Sequence, residues 1–239
     1  MIIGTAALVL QVIPFSDNSV IARVYTEQRG LLSIIVKGAR GGKRNKKAAL
    51  LQTLNLLEIS VVLKENRDLH FLREMRLLEP MKSIPVSPGK TAQALYIAEL
   101  LRHVIKEEEK NESLFNFLRQ SLHLLDEMPE SPALFHHKFS IELTRLLGFY
   151  PQNNYSTSMP FFQFTDGEFH HSEGETTCNT DDSVALNILM NTGFDRLSEL
   201  KLPRKNRQQL LRSILQYYKW HMPGFKDLHT PDVLEEVFG

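Results

Sequence analysis

The chain has 239 residues, 42% of them hydrophobic, and a formal net charge of zero. Length and composition predict a globular protein of two domains, with one large domain as the alternative, rather than a disordered chain. No apolar run approaches the ~18 residues that span a bilayer. A single cysteine, Cys178, excludes an intramolecular disulfide, and the N-terminus does not match a secretory signal, so we expect a cytoplasmic protein.

The zero net charge conceals an asymmetry along the chain. Residues 1–80 hold 12 Lys and Arg against 7 Asp and Glu, whereas residues 81–239 hold 16 against 21. A basic N-terminal part and an acidic C-terminal part are typical of proteins that contact nucleic acid on one side only.

The first eighty residues have the composition of short β-strands separated by turns. Without a long helix between them, these strands argue against a parallel sheet and predict a meander that closes into a barrel or sandwich, and the five-stranded OB barrel over residues 1–80 is one such solution. We interpret Phe15, Tyr25 and Phe71 as core or edge residues rather than as platforms for stacking bases. The predicted strands are Ala6–Ile13, Val20–Thr26, Leu31–Val36, Leu54–Leu63 and Leu69–Leu77.

A dense basic segment follows the third predicted strand, with six cations among the eleven residues 37–47. Like charges at this density repel one another, so we expect a loop that binds a phosphate backbone, although a merely solvated loop remains the alternative. A nucleotide-binding phosphate loop is excluded, because Lys37 and Arg44 stand where it needs Gly and Ser or Thr. The predicted DNA-binding residues are Lys37, Arg40, Lys43, Arg44, Lys46 and Lys47, extended by Arg23, Arg73 and Arg76.

Residues 81–239 show helical periodicity and predict a helical domain. The predicted helices are Thr91–Lys110, Leu114–Leu125, one that starts at the Ser131-Pro132 cap and ends at Gly148, Asp181–Met190 and Pro203–Trp220. The Pro and Gly content of Pro223–Gly239 favours irregular structure. Cations at a helix start oppose the helix macrodipole, so Arg204, Lys205 and Arg207 either bind an acidic partner or form a solvated helix end.

The segment Tyr150–Thr180 interrupts the helices, and Asp166-Gly167 predicts the turn of a small hairpin within it. His170, His171 and Cys178 supply only three candidate zinc ligands, whereas structural zinc takes four, so we expect no bound metal and no cofactor. His136 and His137 on the third helix are interpreted as ordinary surface and core residues. No catalytic motif occurs in the chain, and nothing around Cys178 indicates a nucleophile, so we expect a protein that is not an enzyme.

Several short motifs resemble the RecO family of bacterial recombination mediators over essentially the whole chain. They are Ala7-Leu8-Val9-Leu10, Pro14-Phe15-Ser16-Asp17, Tyr25-Thr26, Gly30-Leu31-Leu32, Val36-Lys37-Gly38-Ala39-Arg40 and Leu146-Leu147-Gly148-Phe149-Tyr150-Pro151. The resemblance implies an OB domain followed by a helical domain. It also implies binding of single- and double-stranded DNA, annealing of complementary strands, and RecA loading with RecR and the single-stranded DNA-binding protein, in the nucleoid-associated cytoplasm.

The chain departs from this family in one region. Many members carry a four-cysteine zinc knuckle after the third helix, but here only Cys178 is present. The resemblance therefore implies a knuckle-like insertion at about 150–180 without zinc, held by packing of Phe161, Phe162, Phe164 and Phe169. A different class of function remains open: an adaptor whose helical domain binds an acidic partner tail, with incidental DNA contact.

Overall fold

The structure is a computed structural model that describes residues 1–40, 46–64, 67–106 and 109–238. The chain divides into two compact units. The first comprises Met1–Val86 with Ala98–Glu127, and the second comprises Ser87–Ile97 with Met128–Gly239. The predicted domain boundary after residue 80 marks the change from strands to helices, and it stays a prediction.

Five strands form a closed barrel in the first unit. They are β1 (Ile2–Pro14), β2 (Ser19–Thr26), β3 (Gly30–Lys37), β4 (Leu56–Val62) and β5 (Leu69–Glu79). Their order around the barrel is β1-β2-β3-β5-β4, with β1 closing on β4 and β3 pairing parallel to β5. This arrangement confirms the predicted OB-type barrel.

Alternation along the strands decides which side chains fill the barrel. Val20, Ala22 and Val24 of β2 belong to the barrel core, so Arg23 between them is on the outer face. The first strand starts four residues before its predicted start, because Ile2 and its neighbours pair with the end of β4. An extra residue in β5, Arg73, is left without a partner where the β4–β5 register shifts, which forms a bulge.

The basic segment is not a loop throughout, so that part of the prediction is wrong. Residues Lys46–Leu50 form a short helix, α1, and Lys46 and Lys47 lie in its first turn. Alanine and leucine at the end of this stretch favour a helix once the barrel holds its neighbours in place.

Outside the barrel the chain is largely helical, which confirms the predicted fold class. The helices are α2 (Pro88–Val104), α3 (Glu112–Glu127), α4 (Phe135–Leu147), α5 (Thr180–Met190), α6 (Arg204–His221) and α7 (Thr230–Val237), with a 3₁₀ helix at Phe194–Glu199. The insertion holds the predicted hairpin, in which β6 (Phe161–Phe162) pairs with β7 (Phe169–His170), and Asp166-Gly167 lies in the connection.

Two helix ends differ from the prediction for physical reasons, and one helix was not predicted. Helix α2 ends at Val104 rather than Lys110, since the glutamates that follow would oppose the helix dipole. Helix α4 starts at Phe135 rather than at the predicted cap, because the Ser131 hydroxyl donates to the Gln93 side chain instead. The C-terminal region holds helix α7 where irregular structure was expected.

The end of α4 agrees with the prediction. Gly148 follows the helix with a φ of 88°, and its backbone N–H donates to the Thr144 carbonyl. This left-handed conformation disfavours side chains with a Cβ, which explains the glycine.

Within the first unit, α3 packs on the outside of the barrel. The ring of Tyr25 on β2 lies 6.2 Å from that of Phe115, and Glu79 at the end of β5 accepts hydrogen bonds from Arg119 and His123. The Asp126 carboxylate accepts three backbone N–H groups, each at 2.8 Å, from the segment Lys82–Ile84. These contacts fix the chain that leaves the barrel.

Candidate nucleic-acid interface

The start of the basic segment is anchored to the β1–β2 turn. The backbone N–H of Gly38 donates to the Asn18 carbonyl at 2.8 Å, and the Arg40 guanidinium donates to the Ser16 carbonyl at 2.8 Å. The anchor joins two loops at one end of the barrel. In OB barrels the β1–β2 loop commonly contributes to oligonucleotide binding. Phe15 on this turn is 53% exposed, so it is not part of the core.

A groove of about 880 Å³ opens on the barrel beside this segment. We call it the basic groove, because five of its lining residues are cationic and only Glu58 and Glu74 are acidic. Its cations come from three elements that are distant in sequence: the end of β3, helix α1 and strand β5. The five cations are Lys37, Lys46, Lys47, Arg73 and Arg76.

Local contacts orient these cations without burying them. The Lys47 ammonium donates to the Lys37 carbonyl at 2.9 Å, and the Lys37 ammonium lies 5.9 Å from the centre of the Phe71 ring. Arg76 forms an ion pair with Glu58, but its side chain remains 76% exposed. An exposed ion pair is worth roughly 0–1 kcal/mol, so a phosphate can compete with Glu58 for this guanidinium.

Two of the other predicted DNA-binding residues, Arg23 and Arg40, are described and do not line the basic groove. Arg23 lies on the outer face of β2, and Arg40 is engaged with the β1–β2 turn. Lys43 and Arg44 lie outside the described residues. The barrel therefore brings to one groove five of the seven predicted cations that the structure describes.

Sequence reasoning undervalued one residue in this groove, Phe71. It was interpreted as a core or edge residue, yet it is half-buried and lines the basic groove beneath Lys37. Phe71 alternates with Leu72, a partly buried residue that packs against the barrel core, so the strand pattern favours an outward-facing Phe71. Tyr25, by contrast, is buried as expected.

The predicted partner-binding cations start helix α6, and two of them contact the C-terminal segment. Arg204 donates to the Glu235 carbonyl at 2.9 Å, and Arg207 donates to the carbonyls of Leu202 and Phe238, both at 2.8 Å. Lys205 is exposed. Arg212, which the sequence did not single out, pairs with the Glu235 carboxylate at 3.1 Å.

Aromatic rings form the centre of the insertion between α4 and α5. Phe162, Phe164 and Phe169 are buried, while Phe161 is half-buried. The Phe162 ring lies 5.1 Å from that of Phe169, 6.3 Å from that of Phe164 and 5.2 Å from that of Tyr217 on α6. Such pairs add to the free energy of burial.

The candidate metal ligands of the insertion have other contacts. His170 lies 2.9 Å from an oxygen of Asp166, and His171 lies 2.7 Å from the Ser158 carbonyl. Cys178 is buried, and this burial raises the pKa of its thiol to about 12. Among the described residues, no group of three or more His, Cys, Asp or Glu side chains is placed to hold a metal ion.

A search of the helices in the described ranges found none with the length and apolar character that crossing a membrane requires.

Comparison with known proteins agrees with the barrel and the helical region. The family described as "Recombination protein O N terminal" matches residues 1–81, and "Recombination protein O C terminal" matches residues 87–229. Curated relatives named DNA repair protein RecO include those of Flavobacterium psychrophilum (36% identical), Bacteroides fragilis (33%) and Porphyromonas gingivalis (31%), each matched over 100% of both chains. The chain therefore belongs to the RecO family of DNA repair proteins.

Proposed function

We propose that this protein binds single- and double-stranded DNA, anneals complementary strands, and helps RecA load onto DNA coated by the single-stranded DNA-binding protein. The observation that carries the proposal is the basic groove, which gathers cations from β3, α1 and β5 around the half-buried ring of Phe71. The RecO relatives are named as DNA repair proteins, which supports a role in DNA binding.

The groove chemistry suits a sugar-phosphate backbone more than a specific base sequence. Lys and Arg side chains contact phosphates without reading bases. Since the cations are exposed and belong to different elements, they can follow a flexible strand. When two strands are brought together, neutralised phosphates repel each other less, which is a physical route to annealing. The exposed face of Phe71 offers an apolar surface to an unstacked base.

The rest of the assignment follows the family. We propose that the protein acts with RecR and the single-stranded DNA-binding protein, without bond chemistry of its own, in the cytoplasm near the nucleoid. We also propose that residues 1–80 are the DNA-binding domain and residues 81–239 the helical domain. The RecO matches to residues 1–81 and 87–229 support a division near this point.

The test is an oligonucleotide titration at several salt concentrations. A groove variant replaces Lys37, Lys46, Lys47 and Arg73 with Ala. A matched control removes the same charge from exposed cations that do not line the basic groove: Lys82, Arg196, Lys201 and Lys226. If each of the four groove cations contacts one phosphate of a single strand, each contact contributes about 0.7 to the log–log salt slope, so the groove variant should have a slope shallower by about 2.8. The control keeps the slope of the natural chain.

Annealing is measured separately, by energy transfer between complementary strands labelled with different dyes. We expect the groove variant to slow annealing and the control variant to leave it unchanged. If the groove variant keeps its salt slope, the basic groove is not the DNA site. If the natural chain binds DNA but does not accelerate annealing, the annealing assignment is wrong.

A further inference from the structure

Helix α7 rests on a surface built by helices α4 and α6. We call this surface the tail groove. Leu234 is the only described residue of α7 that is fully buried, whereas Val233 and Val237 are each 40% exposed. The residues beneath α7 and the C-terminal segment are Ala133, His136, His137, Arg204, Arg207, Gln208 and Leu211. The helix is therefore held by one buried apolar side chain, by the ring of Phe238 just after it, which lies 6.1 Å from that of His136, and by polar contacts.

Those polar contacts recognise the carboxyl end of a helix rather than particular side chains. Arg204 and Arg207 bond the main-chain carbonyls of Glu235 and Phe238, which lie at the end of α7. The last carbonyls of a helix lack partners within the helix and carry partial negative charge, so cations bind them favourably. Arg212 adds one side-chain contact, to the Glu235 carboxylate.

The charges of the two sides are complementary. Helix α7 carries the acidic residues Asp232, Glu235 and Glu236, and its first turn has no cation. Helix α6 presents a basic side to it, with Arg204, Arg207 and Arg212 in contact. The occupant that this surface accepts is thus an acidic amphipathic helix.

Helix α7 leaves one buried polar atom of the tail groove, within the described residues, without a hydrogen bond. His137 is buried, its Nε2 donates to the Arg207 carbonyl at 2.8 Å, and its Nδ1 has no hydrogen-bond partner in the part of the chain that the structure describes. Burial lowers the pKa of His137 to about 4, so the ring is neutral and Nδ1 is an acceptor. A cavity of about 30 Å³ adjoins it. A buried acceptor without a donor weakens the binding of the helix above it.

A helix of eight residues is marginal by itself, and one buried side chain adds little to hold it. We propose that the tail groove is a docking site for the carboxyl end of an acidic amphipathic helix from a partner protein, and that α7 is the resident occupant that this partner displaces. The inference does not depend on DNA binding by the barrel.

The experiment uses the full chain and a fluorescein-labelled peptide with the sequence of residues 228–239. In Leu234→Asp the apolar anchor of α7 is lost, so the tail groove is vacated and the peptide binds. In the natural chain the tethered helix competes at an effective concentration on the order of millimolar, so we expect peptide binding at least tenfold weaker. Val233→Asp is the matched control, because it adds the same charge to the exposed side of α7 and should behave like the natural chain.

Two further changes test the chemistry of recognition. In the Leu234→Asp background, Arg207→Ala should weaken peptide binding at least tenfold, whereas Arg196→Ala, which is exposed and outside the tail groove, should not. A peptide with the acidic residues replaced by Asn and Gln should also bind more weakly, by a few-fold. Equal binding of the acidic and neutral peptides would overturn the assignment of an acidic partner.

Amide hydrogen exchange on the natural chain provides a test that requires no variant. Millimolar peptide should accelerate exchange in α7 and leave exchange in α4 unchanged. Unchanged exchange in α7, or equal peptide affinity of the natural chain and Leu234→Asp, would overturn the proposal. Light scattering that shows a dimer formed by exchange of α7 would assign the tail groove to a second copy of this chain and would overturn the partner assignment.

Discussion

The insertion between α4 and α5 should depend on its aromatic rings for stability, and Phe162→Ala tests this directly. Phe162 is 1% exposed and contacts the rings of Phe164, Phe169 and Tyr217. Replacing such a buried Phe by Ala costs about 3–5 kcal/mol, from lost burial and the cavity left behind. That is a large part of the roughly 5–15 kcal/mol that stabilises a typical domain.

Urea unfolding followed by fluorescence measures this loss. The chain has one tryptophan, Trp220, and it lies on α6 beside Tyr217, so its emission reports on the same unit. With a urea dependence of about 2 kcal/mol/M, the expected loss lowers the midpoint by roughly 2 M. Circular dichroism at the helix band should give the same midpoint.

Phe161→Ala is the matched control, because Phe161 precedes Phe162 in β6 but is only half-buried. We expect it to cost about 1 kcal/mol, since less apolar surface leaves the core. A chelator should not change the midpoint of the natural chain. A Phe162→Ala shift below about 0.5 M, or a midpoint that falls when chelator is added, would refute the interpretation that rings replace metal here.

Three further outcomes are expected. The hydrogen bond from Arg119 lowers the pKa of Glu79 below its ordinary value of 4.5, so Glu79 contributes stability above that pH and loses it as the pH falls through the lowered value. Glu79→Gln should therefore cost about 1 kcal/mol in urea unfolding at pH 7 and progressively less as the pH falls below 4.5, and a loss independent of pH would contradict this. Gly38→Ala should destabilise the barrel by about 1 kcal/mol and weaken DNA binding, because Gly38 has a φ of 72° that disfavours a side chain. The added Cβ would lie 3.8 Å from the Lys47 ammonium, so the cost comes from the backbone and not from a clash. Unchanged thermal unfolding would argue against this prediction. Since the pKa of Cys178 is raised to about 12, only about one thiol in ten thousand is ionised at pH 8, so mass spectrometry should find it alkylated only after unfolding; rapid alkylation in native buffer would contradict this.

Local sequence patterns predicted most of the strands and helices. Alternation placed β2 and β3 within one residue at each end, and apolar stripes located α5 and α6 equally well. Gly148 ended α4 as predicted, because a left-handed residue after a helix is a local requirement. The sequence also identified residues 37–47 as a basic segment.

Helix ends that depend on distant residues were less predictable. Ser131 is a good cap by its chemistry, but its hydroxyl is engaged by Gln93, 38 residues earlier in the chain. Helix α7 was missed although local signals for it are present, namely Pro231 and Asp232 in its first turn and apolar side chains at helical spacing after them.

Sequence by itself determined most element types, the OB-type barrel of the N-terminal region, the helical C-terminal region, the single cysteine and the family. Tertiary structure alone decided which charges meet. Barrel closure places β5 beside β3 and so brings Arg73 and Arg76 next to Lys37, while the packing of α7 on α6 engages Arg204 and Arg207. The physical reason is that periodicity reports the face of one element, whereas a binding surface requires the register between elements far apart in sequence.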